Sequence, residues 1–145
     1  MTIAENKRIA RRFFSVWGGA TDPALVDELA APTLRVSYPL FGTPTEGHAA
    51  FKRALAGLHS SFPDLVATVE DEVAEGDKVA LRWTMRGTHH GDFFGNPPTG
   101  KAIVWSGLTI YRLVDGKVAE EIGEEDALGL LQRVGAVLTP GLPSA

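Results

Sequence analysis

Acidic residues crowd the last extended segment of the chain, where Glu120, Glu121, Glu124, Glu125 and Asp126 lie close together. Side chains alternate along a strand, so Glu120, Ile122, Glu124 and Asp126 share one face, and Ala119, Glu121, Gly123 and Glu125 the other. Val118 and Ile122 suggest that the first face points inward, which would set Glu124 and Asp126 at the rim of any cavity. Carboxylates held together in an apolar pocket raise one another's pKa and can then take and return protons near neutral pH. The same residues on a strand end facing water would simply be solvated.

His89 is the second group of interest. Alternation puts it on the strand face of Trp83 and Met85, provided no bulge intervenes at Gly87. It is there either as a polar group in an aromatic pocket or as a core histidine with its hydrogen bonds satisfied. Trp83, Trp105, Phe93 and Phe94 could line a pocket for a flat organic ligand or be plain core. Val104 and Trp105 are adjacent, and pairing alone does not say which of them faces inward. His89 and His90 point to opposite faces and are poorly placed to share a metal ion; no metal site is expected. A phosphate-binding glycine loop, GxGxxG, GxSxG and HExxH are all missing from the sequence.

The elements that must position these groups are legible. Thr2 and Glu5 have capping-box spacing, Ile9, Phe13 and Trp17 recur every four residues, and Gly18-Gly19 supplies a stop. Asp22-Pro23 starts a short helix carrying Leu25, Val26 and Leu29. A short strand is expected over Leu34–Tyr38 and a helix over His48–His59, with Phe51, Leu55 and Leu58 facing the core. From Leu65 the pattern turns to strands: one through Val73, a second over Lys78–His90, a third over Ala102–Val114 and a last over Val118–Asp126. Asp115-Gly116 marks a two-residue hairpin. A closing helix follows over Leu128–Val134, then a frayed tail over Thr139–Ala145. Helices followed by a four-strand antiparallel meander give an α+β fold in one domain, 1–138.

Composition narrows the function classes. The chain has 145 residues, 14 Lys and Arg against 18 Asp and Glu, a net charge of −4 and no cysteine. An acidic chain is a poor nucleic-acid partner, and the absence of cysteine excludes thiolate chemistry and disulfides. No apolar run is long enough to span a bilayer, and a cytoplasmic location is expected.

Ser61-Phe62-Pro63-Asp64-Leu65 leading into the sheet, Gly87-Thr88-His89-His90-Gly91-Asp92-Phe93 after the long strand and Pro97-Pro98-Thr99-Gly100-Lys101 beyond it form an ordered series. With Asp115-Gly116-Lys117, Glu120 and the run from Asp126 to Gly135, they resemble the SnoaL-like polyketide cyclase family of the NTF2-like superfamily, nearly end to end. The resemblance implies a cone of curved antiparallel sheet packed on N-terminal helices around a deep apolar cavity, in a homodimer or higher homo-oligomer. It implies intramolecular aldol ring closure without a cofactor, with Asp126 as the acid/base and His89 in the same cavity, where it could bond the developing oxyanion. Ile122 stands where the family usually has tryptophan, Glu124 replaces a hydrophobic residue, and Tyr38 takes the place of a histidine in the first short strand; a changed pocket wall is expected.

The expectation is therefore a cofactor-free cyclase- or isomerase-type enzyme acting on a small hydrophobic carbonyl compound. Asp126 and His89 would be catalytic, Glu124 a second carboxylate, and Trp83, Trp105 and Tyr38 pocket walls. The alternatives are a ligand-binding domain without catalysis and an epoxide hydrolase using Asp126 and Glu124. Dimerisation is expected through the outer sheet face that carries Arg82, Thr84 and Arg86.

Overall fold

The computed structural model describes residues 1–136; the expected frayed tail lies outside the described residues. Helix α1 (Ile3–Phe14) starts at the capping box: Glu5 N donates to Thr2 Oγ1 at 3.0 Å, and Thr2 N to a Glu5 oxygen at 2.7 Å. Its apolar stripe buries Ile9, Phe13 and Phe14 and continues through a 3-10 turn to Trp17. Each large apolar side chain so buried contributes roughly 1.5–3 kcal/mol. Helix α2 (Leu25–Leu29) begins two residues after Pro23, because Asp22 Oδ1 accepts from Ala24 N at 2.9 Å and holds a turn first. Helix α3 (Gly47–Ser61) buries Phe51, Leu55 and Leu58.

The sheet has six strands in the order β2-β1-β6-β5-β4-β3. Strands β3 (Val66–Glu75), β4 (Lys78–Thr88), β5 (Ala102–Val114) and β6 (Lys117–Glu125) form the expected antiparallel meander. Two additions go beyond that expectation. Strand β1 (Ala30–Ser37) runs parallel to β6, and the two-residue β2 (Thr45–Glu46) pairs with β1 at the edge. β1 contains most of the short strand expected over Leu34–Tyr38 and starts four residues earlier, before Pro32; the β1–β6 register shifts between Ala30 and Arg35, where a residue lacking an N–H can be tolerated. Helix α4 (Ala127–Arg133) closes the described chain.

A bulge in β6 decides which side chains face the core. Across the Asp115-Gly116 turn Leu113 pairs with Val118, but Arg112 then pairs with Glu120, leaving Ala119 as an extra residue. An inserted residue flips the parity of everything beyond it. Val118 therefore points inward, and so do Glu121, Gly123 and Glu125, while Ile122 and Glu124 stand exposed on the outer face. The expectation that Glu124 shares an inward face with Val118 and Ile122 is corrected by this one residue.

Candidate functional site

The inner surface of the sheet is built in rungs. Trp83 pairs with Gly107 and Gly107 with Glu125; on the next rung Thr109 pairs with Gly123; on the next Tyr111 pairs with Glu121. The two glycines are required by close approach. A Cβ on Gly107 would come within 2.3 Å of the Trp83 ring, and one on Gly123 within 1.9 Å of the Tyr38 ring. Each gap lets a large ring lie against the sheet and bring its polar tip to Thr109. Trp83 Nε1 donates to Thr109 Oγ1 at 2.9 Å, and the Tyr38 hydroxyl lies 2.7 Å from the same oxygen.

From there the chain of bonds reaches a buried carboxylate. Tyr38 donates its one proton to Glu121 Oε2 at 2.5 Å, which leaves Thr109 to donate to Tyr38; Trp17 Nε1 adds a second bond to Oε2 at 3.0 Å. Glu121 is fully enclosed, and burial pushes its carboxyl from 4.5 up to about 7 despite the pull of the hydroxyl and indole donors around it. Among the described residues its Oε1 and the Tyr111 hydroxyl have no hydrogen-bond partner. Burial likewise holds the Tyr38 and Tyr111 hydroxyls well above their ordinary pKa, reinforced by the Glu121 charge, so both stay protonated.

With their polar tips turned into this network, the rings present apolar surface to a chamber lined by Trp17, Tyr38, Phe41, Trp83, Met85 and Trp105 among others. Among the described residues Glu125 is the one carboxylate on that lining. Its Oε1 accepts from Leu40 N at 2.8 Å, and its Oε2 is buried without a partner. Burial raises its pKa above the ordinary carboxylate value, and the neighbouring Glu124 charge adds to the shift, against the Leu40 bond. A carboxylate with one oxygen anchored and the other free in apolar surroundings is suited to exchanging a proton with a bound molecule.

The single deep cavity implied by the resemblance is divided. The inner chamber is about 30 Å³, because aromatic rings fill most of the space; a neighbouring pocket is about 300 Å³. Leu40, Phe41 and Leu58 line both and form the partition. The smaller space fits little more than a water, whereas the larger reaches the lower end of small-molecule sites.

The other expected site residues fall as follows. Trp83, Trp105 and Tyr38 line the inner chamber, with Trp105 inward and Val104 outward. Asp126 does not stand at the chamber rim: its side chain is 46% exposed, its Oδ1 accepts from Gly129 N at 3.0 Å as the N-cap of α4, and its Oδ2 pairs with Arg133 at 3.2 Å. Ile122 and Glu124 form no part of the pocket wall, so the family's altered positions there change the outer sheet face. His89 is 0% exposed, packed against Phe62 and Phe93 and absent from the lining of both pockets. Its Nδ1 lies 3.1 Å from Thr99 Oγ1 and 3.3 Å from Thr99 N, and among the described residues its Nε2 is buried without a partner. Among the described residues no group of three or more His, Cys, Asp or Glu side chains is assembled for a metal, and no helix is long and apolar enough to cross a membrane.

Glu121, Glu125, Thr109 and Trp17 escaped the sequence reading. The available signal was the pair Val118-Ala119: two consecutive small apolar residues just after a tight hairpin mark a bulge where both can be buried.

Comparison with known proteins places the chain. Aklanonic acid methyl ester cyclase DnrD of Streptomyces peucetius is 30% identical over 90 residues, 61% of this chain and 62% of that protein, so the match spans less than two thirds of the relative's length. The structure of a SnoaL-like protein from Jannaschia sp. CCS1 superposes with a TM-score of 0.85 at 28% identity, over 94% of this chain and 96% of that one. AclR of Streptomyces galilaeus gives 0.84 at 29% identity, over 97% and 87%. The architecture is the NTF2-like α+β fold. Since the sequence pattern of the SnoaL-like polyketide cyclases matches residues 7–134, from within α1 to just past α4, the chain belongs to that family.

Proposed function

We propose that this protein is a cofactor-free acid/base enzyme of the cyclase or isomerase type, acting on a small apolar carbonyl compound. The observation that carries the reading is Glu125, a carboxylate of raised pKa with a free oxygen among aromatic walls. Glu125 removes a proton from the carbon next to a carbonyl and returns it after the enolate has attacked or shifted. Apolar walls hold the reacting carbons together, so little further entropy is lost on the way to the transition state. His89 lies one aromatic layer away, behind Phe62, and its unpartnered Nε2 serves as a donor to an enolate oxygen when that nitrogen carries the ring proton and a ligand opens a path between the rings. Binding displaces Leu40 and Phe41 and joins the two pockets; it also releases the Leu40 bond and so raises the basicity of Glu125.

The test is hydrogen–deuterium exchange at the activated carbon of 2-tetralone, followed by NMR in heavy water. Wild-type protein accelerates exchange over buffer, and Glu125→Gln loses that acceleration. If Asp126→Asn abolishes exchange at unchanged stability while Glu125→Gln retains it, the role returns to Asp126, as the family resemblance has it. We further propose that a second copy covers the outer sheet face, where Val104, Leu108, Ile110 and Ile122 are exposed side by side on β5 and β6. Light scattering at micromolar concentration is expected to give a dimer or larger; a monomer contradicts it.

A further inference from the structure

The outer pocket is flanked by a turn whose residues do not suit it. Phe93 N donates to Asn96 O at 3.0 Å and Asn96 N to Phe93 O at 2.9 Å, closing a two-residue loop over Phe94 and Gly95. Both loop residues have positive φ, 48° and 82°. Asn-Gly and Asp-Gly are the pairs this geometry favours, since a bulky side chain at positive φ is strained. The chain obeys that rule at its other such turn, where Asp115 and Gly116 have φ of 50° and 76°. At 94 it places a phenylalanine instead, and leaves the ring 62% exposed at the pocket edge. The backbone gains nothing from that choice, and the ring's one contact with the core is edge-to-face on Phe93 at 4.8 Å. Asp92 Oδ2, Asn96 Nδ2 and the edge of Phe93 nevertheless hold the loop in place.

Arg53 lies on the same pocket and makes no ion pair among the described residues, although Asp92 is on the lining too. Asp92 is occupied by the loop, through Gly95 N at 2.9 Å. The pocket thus offers aromatic surface from Phe41 and Phe94 and one unspent cation. We propose that Phe94 is a ligand-clamping residue, kept in an unfavourable turn so that its ring closes on a planar conjugated carboxylic acid whose acid group is received by Arg53. The inference rests on the reading of these pockets as the substrate site, and deepens it by assigning a free acid as the ligand.

Calorimetric titration of the full chain with 2-naphthoate and with its methyl ester, alongside thermal melting, tests it. Wild-type protein binds the acid more tightly than the ester. Phe94→Asn weakens the acid about three- to tenfold while the melting temperature holds or rises, because asparagine suits the turn. Arg53→Met weakens the acid about tenfold and leaves the ester unchanged. If Phe94→Asn binds both probes as wild type does, or lowers the melting temperature with binding intact, the clamp is overturned and the cavity reading stands. If Arg53→Met leaves acid binding unchanged, the acid preference is overturned. Failure of wild type to bind either probe overturns the cavity reading and the clamp together.

Discussion

The two faces of β6 carry the same kinds of residue and do opposite things. Outside, Ile122 and Glu124 meet solvent; inside, Glu121, Gly123 and Glu125 meet four aromatic side chains, Trp17, Tyr38, Trp83 and Trp105. Composition is thus a poor guide to which acid does chemistry, and strand parity a good one if bulges are counted. Glu125 and Asp126 show the point at its sharpest: neighbours in sequence, one aims a free oxygen at an apolar chamber, and the other spends both oxygens on a helix cap and an arginine.

The largest expected effect on this contrast is catalytic. Glu125→Gln lowers the exchange rate of a ketone probe by about 10²–10⁴-fold, whereas Glu124→Gln on the outer face leaves it within twofold or so of wild type. Comparable losses from both would erase the distinction between the faces. Next comes packing: Gly123→Ala drives a methyl group into the Tyr38 ring and costs about 1–3 kcal/mol or more in denaturant unfolding, while Ile122→Ala outside costs well under about 1 kcal/mol in the isolated chain.

Glu121 sharpens the contrast through pH. Its carboxyl is raised from 4.5 to about 7, so the folded protein holds this proton more tightly than the unfolded chain. Its contribution to stability is full below 4.5 and is lost as the pH rises through 7, by about 3 kcal/mol in all. Glu121→Gln removes that dependence, so its melting temperature gains on wild type between about pH 5 and about pH 8; parallel curves would mean that the carboxyl is hydrated after all. A modest effect is expected at the cap: Asp126→Ala costs about 0.5–2 kcal/mol of stability through α4, with exchange activity retained.

Most of the fold was legible because its signals are local. The capping box at Thr2, the four-residue recurrence of Ile9, Phe13 and Trp17 and the Asp115-Gly116 turn each specify their own element. The parallel pairing of β1 with β6 was not, since it joins segments more than eighty residues apart. Within the site, Trp83 and Trp105 were legible as walls by aromatic character, and Tyr38 through the family resemblance. The carboxylates were assigned to the wrong faces because alternation was carried through Ala119 without a break, past the Val118-Ala119 pair whose burial on both sides marks the bulge against β5.

The central claim is that Glu125, and not Asp126, is the carboxylate of the chamber. NMR titration of protein labelled with ¹³C at the side-chain carboxyls, assigned with Glu125→Gln and Asp126→Asn, tests it most directly. The account predicts that the Glu125 carboxyl titrates above the ordinary glutamate range and shifts when 2-naphthoate is added, while the Asp126 carboxyl does not respond to the ligand. A ligand-induced shift at Asp126 with none at Glu125 would contradict it.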